Sequence, residues 1–258
     1  MSSGSDLSIL EFDQTCFSYA KNGAFIKDLT LSVGGGEFIG LLGANGSGKS
    51  TILKLGSGIL RASTGRLMLW GKPLHAYGNR DRAKLISYLP QSIDVTIPFA
   101  VRELVGMGLY PYDIRPAMTT EDALEMVGLL DKADSRLADL SGGEQRRVFI
   151  AMTLLQGAGL LLLDEPLANL DIRYQIELVR LLRRLREERN ISIVMALHDI
   201  NIALQLEKVI LIKNGEICGM GTAAEVLSEE QIRHAFGVEV RIIRQEGEKA
   251  YVSFESNF

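Results

Sequence analysis

Residues 37–56, EFIGLLGANGSGKSTILKLG, constrain the fold more than any other stretch of this chain. An apolar run ends in glycine, a turn of the form G-x-x-x-x-G-K-[ST] follows at 43–51, and residues suited to a helix start come next. In a strand, glycine loop and helix, successive backbone N–H groups and a helix N-terminus converge on phosphate oxygens. Gly43, Asn45, Gly46, Ser47 and Gly48 would cradle the phosphates. Lys49 would reach the outer ones, and Ser50 would hold Mg²⁺ with Thr51 beside it. A bare glycine turn is the competing reading, and the flanking apolar strand and helix weigh against it.

Two later strands point to the same place. LLLLDE is a fully buried strand with Asp164 emerging at its C-terminal edge, where ligands sit in open α/β sheets. Asp164 would hold Mg²⁺ through water, and Glu165 would polarise an attacking water. Phosphoryl transfer needs positioning and a neutralised oxygen cloud more than covalent chemistry, so two acids with two roles suffice. ISIVMALHD ends a further apolar strand near His198, which brings an imidazole to the same edge for a γ-phosphate contact. Alone, an Asp-Glu pair reads as a solvated turn and a lone histidine as structural. The combination with the loop at 43–51 decides for function, while His75 and His234 keep the structural reading.

The organisation follows from periodicity. The opening third reads as short strands, whereas residues 92 to about 150 have helical periods and no convincing strand. We expect a single unit over 1–258, with an α/β core from 1–91 and about 151–258 and a helical insertion between them. In the core, strands alternating with helices imply a largely parallel sheet covered on both faces. DIRYQIELVRLLRRLREER places Ile172, Ile176, Val179, Leu182 and Leu185 on one helical face.

Composition excludes several classes. The 28 basic residues nearly balance 32 acidic ones, which speaks against nucleic acid as a partner. Cys16 and Cys218 form no CxxC and have no histidines at ligand spacing, so they read as free, buried thiols in a reducing compartment. The start, MSSGSDLSILEFDQ, lacks a basic segment followed by an apolar core, and no apolar run approaches the roughly 18 residues that span a bilayer. The expectation is a cytoplasmic chain whose membrane role needs a separate partner.

A second glycine-rich stretch, LSGGEQRR at 140–147, has no lysine in the phosphate-binding position. Ser141 and Glu144 make it a capped helix start, a capping box. With it, the motifs resemble the ATP-binding subunits of ABC transporters over essentially the whole chain. GANGSGKST is similar to the Walker A loop, LLLLDE to the Walker B strand and LSGGE to the family signature. Gln91 resembles the Q-loop glutamine, counted both among the catalytic residues and among the Mg²⁺ ligands. Asp171, closing ANLD, resembles the D-loop aspartate, His198 the switch histidine, and Tyr19 the aromatic that stacks on adenine.

The resemblance implies a P-loop NTPase, RecA-like, with a mostly parallel sheet, an antiparallel β subdomain and an inserted α-helical subdomain. It implies ATP and Mg²⁺ as ligands, with Lys49, Gln91, Glu165 and His198 at the chemistry. It also implies a head-to-tail homodimer in which Ser141, Gly142 and Gly143 of one copy close over the γ-phosphate held by Lys49 of the other. One departure is Leu167, where threonine is common after DEP; with Glu165 and Asp171 retained, little effect on hydrolysis is expected.

A narrower resemblance is to importers of metal chelates: iron-siderophore, heme or cobalamin. It rests on VRELVGMGLYPY, on LHDINIALQ and on KNGEICGMGTAAEVLSEEQIRHAFGVEV, together with the absence of an added C-terminal regulatory domain. It implies a polytopic permease docked on the apolar segment after Gln91, IPFAVRELV, a substrate-binding protein acting through that permease, and a place at the cytoplasmic face of the membrane. Import of another substrate, such as a metal ion or oxyanion, stays open. So does a soluble, non-transport ATPase of the same motifs acting on nucleic acid.

Overall fold

The structure, a computed structural model, describes residues 8–20, 23–92, 98–114, 116–243 and 250–254. Residues 1–7, where the leader reading begins, and 93–97, part of the segment after Gln91, lie outside the described residues. In chain order come β1 (Ser8–Phe17), β2 (Ile26–Gly34), β3 (Phe38–Leu42), α1 (Lys49–Gly56), β4 (Thr64–Leu69), β5 (Lys72–Pro73), α2 (Asn79–Leu85) and β6 (Ile86–Leu89). Three helices follow, α3 (Val101–Gly106), α4 (Thr120–Met126) and α5 (Gly142–Leu155), with short 3-10 turns between them. The chain returns through β7 (Leu160–Asp164), α6 (Ile172–Arg189), β8 (Ser192–Leu197), α7 (Ile200–Ala203), β9 (Lys208–Lys213) and β10 (Glu216–Thr222). It closes with α8 (Ala223–Val226), α9 (Glu229–Phe236) and the hairpin β11 (Val240–Ile243) and β12 (Tyr251–Phe254).

The continuous apolar strands become the middle of a six-stranded sheet ordered β10-β9-β3-β8-β7-β6. Every neighbouring pair among β9, β3, β8, β7 and β6 is parallel, and only the β9–β10 hairpin is antiparallel. β3, β7 and β8 are buried at every residue. Their pleat splits them between two cores. Ile39, Leu41, Leu160, Leu162, Val194 and Ala196 face a core shared with α1 and a second, antiparallel sheet ordered β2-β1-β4-β5. Phe38, Leu42, Leu161, Leu163, Ile193 and Met195 face a core shared with α3, α4, α5 and α6. Helix α1 lies between the sheets: a Cβ on Gly56 would meet Leu10, Phe12 and Leu162 within 3.5 Å.

Four expectations shift. Ile172 and Ile176 are 75% and 47% exposed, while Leu178, Val179, Leu182 and Leu185 are buried, so this chain covers only the later turns of the α6 stripe. Val101, read as part of an apolar outer surface, is fully buried with Leu104 and Val105, because α3 turns its apolar side onto α4 and α5. The thiols are free but half-buried. Each lies at a register shift: Cys16 resumes the β1–β4 pairing, opposite Thr64, after the break that follows Asp13, and Cys218 falls between the paired Ile217 and Gly219 of β10. Finally, α5 continues through the boundary expected near residue 150 to Leu155. Among the described residues no helix is long and apolar enough to cross a membrane.

Candidate nucleotide-binding site

Parallel pairing fixes the site, because it brings the C-terminal ends of β3, β7 and β8 to one edge with β6 beside them. From β3 comes the glycine loop, with Gly48 as the N-cap of α1. The loop is anchored from behind by the Asn214–Gly215 turn of the β9–β10 hairpin: Gly215 N–H donates to Ser47 O at 2.8 Å, and Lys27 N–H donates to Gly215 O at 3.1 Å. Both turn residues are left-handed, φ 51° and 79°, as a two-residue hairpin requires. A Cβ on Gly215 would lie 1.8 Å from Phe25 O. Ser47 Oγ is buried without a protein partner.

Lys49 is 4% exposed and folds back onto its own loop, donating to Gly43 O at 2.7 Å and Ala44 O at 3.1 Å. Burial lowers its pKa, opposed by the charges of Glu165 and Asp164. Ser50 donates to Asp164 Oδ1 at 2.9 Å, and the Tyr88 hydroxyl reaches Asp164 Oδ2 at 3.3 Å. Burial raises the Asp164 pKa, with the Ser50 hydrogen bond opposing, and burial beside Asp164 likewise pushes the Tyr88 phenol up. Gln91 Nε2 donates to Glu165 Oε2 at 2.8 Å, and His198 Nδ1 lies 3.8 Å from the same oxygen. Lys49, Ser50, Gln91, Asp164, Glu165 and His198 thus share one sheet edge.

A cavity of about 200 Å³ opens there, lined by Phe25, Asn45, Gly46, Ser47, Gly48, Lys49, Ser50, Thr51, Gln91 and Glu165. Tyr19 stands at its border, 61% exposed, its hydroxyl 2.9 Å from Thr51 Oγ1 and its ring edge-on to Phe17 and Phe25. Ser141, Gly142, Gly143 and Asp171 do not line the cavity. Ser141 caps α5: its backbone N–H donates to Glu144 Oε2 at 2.9 Å, and Glu144 N–H returns to Ser141 Oγ at 3.4 Å. Asp171 caps α6 by accepting Tyr174 N–H at 3.1 Å.

Besides Phe25 in the cavity lining, two polar contacts at this edge have no counterpart in the sequence motifs. Tyr88 is one, a single tyrosine in a short strand with no motif around it. The other is Arg146, 7% exposed, whose guanidinium reaches the carbonyls of Pro90, Gln91, Asp164 and Glu165. Its signal was the arginine doublet ahead of the apolar run VFIAMTLL, a charge pair where α5 is otherwise buried. Its neighbour Arg147 stacks 3.7 Å above the Tyr174 ring and donates to Val127 O and Gly128 O, tying α5 to α6 and to the end of α4.

Comparison with known proteins agrees with this geometry. Residues 26–168 match the family described as ABC transporter. The chain is 39% identical to the petrobactin import ATP-binding protein FpuC of Bacillus anthracis, over 88% of this chain and 86% of the relative. It is 38% identical to the iron(3+)-hydroxamate import ATP-binding protein FhuC of Bacillus subtilis (strain 168), over 84% of each. To the hemin import ATP-binding protein HmuV of Bordetella avium it is 37% identical, over 84% of this chain and 88% of the relative. Among solved structures, a dimeric ATP-binding cassette in a post-hydrolysis state with ADP and Pi superposes with TM-score 0.75 at 25% identity, over 83% of this chain and 99% of that one. The fold is that of a P-loop NTPase, as the sequence implied.

Proposed function

The chain belongs to the ABC transporter family, whose ATP-binding subunits are ATPases, and from that premise we propose that its ATP hydrolysis drives import of a metal chelate through a separate membrane permease. The names of the relatives, petrobactin, iron(3+)-hydroxamate and hemin import, support iron-siderophore or heme as cargo. Cobalamin has the sequence resemblance alone. The subunit works at the cytoplasmic face, meeting the permease through the helical segment after Gln91, where Tyr110 and Ile114 are 83% and 88% exposed. A substrate-binding protein acts on it only through that permease.

The observation that carries ATP hydrolysis by a head-to-tail pair is the composition of the cavity: it holds the phosphate loop, Gln91 and Glu165 but none of Ser141, Gly142 or Gly143. A second copy, packed head to tail, brings its signature to the open side. Gly142 supports this. A Cβ there would meet nothing within 4 Å in its own chain, so the first turn of α5 is open to an approaching phosphate.

The donors at the sheet edge suit Mg²⁺. The Ser50 hydroxyl and Asp164 carboxylate, already 2.9 Å apart, and the Gln91 amide are hard oxygens. Among the described residues no cluster of three or more His, Cys, Asp or Glu would cage a metal alone, as fits an ion shared with substrate phosphates. When bound, Mg²⁺ neutralises charge on the transferring phosphoryl group. Lys49 exchanges the carbonyls of Gly43 and Ala44 for the outer phosphates of ATP. Glu165 orients and polarises the attacking water, with Gln91 holding one carboxylate oxygen and His198 facing the γ-phosphate. Tyr19 offers its exposed ring to adenine.

Uptake decides the cargo. Cells lacking this chain should lose uptake of radiolabelled ferric siderophore or of heme, and regain it with the native chain but not with Glu165→Gln. Undiminished uptake of both would overturn the metal-chelate reading.

A further inference from the structure

Besides Lys49, a second buried cation lies against the catalytic backbone: Arg146, 7% exposed. One nitrogen, Nη1, donates to Pro90 O at 2.6 Å and Gln91 O at 3.1 Å; the other, Nη2, donates to Asp164 O at 2.7 Å and Glu165 O at 2.9 Å. The first pair of carbonyls follows β6 and carries Gln91, the second ends β7 and carries Glu165. A planar fork with fixed donors is the side chain able to hold two such pairs at a set separation.

What it holds is strained. Glu165 has φ 47°, in the left-handed region that strains a side-chain-bearing residue unless its surroundings over-determine it. Here its N–H donates to Ala196 O at 3.2 Å and its carbonyl accepts from Arg146, so the peptide is pinned from both sides. This backbone sends the Glu165 carboxylate toward the Gln91 amide, 2.8 Å away. Arg146 is 7% exposed and, among the described residues, no carboxylate hydrogen-bonds to it, so a guanidinium here is a costly way to fill space. Its helix begins at Ser141 and Gly142, only one turn earlier.

We infer that Arg146 is a positioning residue: it sets the backbone of Gln91 and Glu165 so that both side chains address one attacking water, and it ties that geometry to the helix whose first turn carries the signature. The inference rests on the proposed role of Glu165. Movement of α5 as its N-terminus engages a neighbour's phosphate would then reach the chain's own Gln91 and Glu165 through one guanidinium.

The test compares Arg146→Met and Arg146→Lys in the native chain and in the Glu165→Gln chain, reading kcat and KM for ATP together with the melting temperature. We expect Arg146→Met to lower kcat about tenfold to hundredfold, as displacement of a positioned group does, with KM within about twofold. Lysine, a point donor without the fork, should recover part of the loss. In the Glu165→Gln chain, Arg146→Met should add little, because the group it positions is already gone. Native kcat in a folded Arg146→Met chain overturns the inference, and so does a full further loss in the Glu165→Gln background. If the methionine variant does not fold, lysine decides: a native kcat there overturns it equally. Near-native turnover of Glu165→Gln alone would instead remove the reading at Glu165, a result that cannot be confused with failure at Arg146.

Discussion

Glu165 collects three of the contacts that matter: Gln91 on its carboxylate, His198 3.8 Å off the same oxygen, and Arg146 on its carbonyl. Removing only its charge should therefore leave the phosphate loop intact. Glu165→Gln is expected to keep ATP affinity while turnover falls on the order of 10² to 10⁴, the range for a group acting in the transition state. His198→Ala should lower kcat more than it weakens ATP binding, since its side chain is exposed and supports little packing. Steady-state kinetics beside equilibrium ATP binding checks both, and an equal fall in affinity and turnover would make His198 a structural residue.

At the level of elements, the phosphate loop is not self-sufficient. Its shape depends on a hairpin turn more than 160 residues later in the chain, where Gly215 N–H holds Ser47 O at 2.8 Å. Gly215→Ala would place a methyl 1.8 Å from Phe25 O in a residue already at φ 79°. The backbone has to move, at a cost of about 1–3 kcal/mol of the kind left-handed strain carries. A thermal melt should show a fall of several degrees, and KM for ATP should rise as the loop loses its anchor; an unchanged melting curve would mean the turn relaxes freely. The capping box of α5 and the Asp171 cap of α6 show the same economy. Residues read as nucleotide contacts also terminate helices, and in α5 the cap holds the first amides in place.

For the whole molecule, the incomplete cavity makes a dimer prediction that can be separated from folding. A two-fold arrangement exchanges the same patch between copies. Combine Lys49→Ala, which lacks the phosphate-reaching charge, with Ser141→Arg, which blocks the signature, both in the Glu165→Gln chain so that ATP is retained. In a mixed dimer one site carries both lesions and the other carries neither. Gel filtration should recover about one tightly held ATP per mixed dimer and much less in either parent. If each chain used its own signature, mixing would rescue nothing.

The sequence by itself determined whatever is local. A phosphate loop is made by consecutive amides, a capping box by residues three apart, and a buried parallel strand by an unbroken apolar run, so 43–51, Ser141 with Glu144, and LLLLD could all be read directly. Register and cover belonged to the tertiary structure. Arg146 reaches Pro90 across 56 residues and Tyr88 reaches Asp164 across 76, and no periodicity records which strand ends will be neighbours. The stripe on α6 and the apolar residues of α3 had the right spacing but not the right cover. Ile172 stays bare and Val101 is enclosed, because burial depends on what packs opposite, and that is set only when distant elements meet.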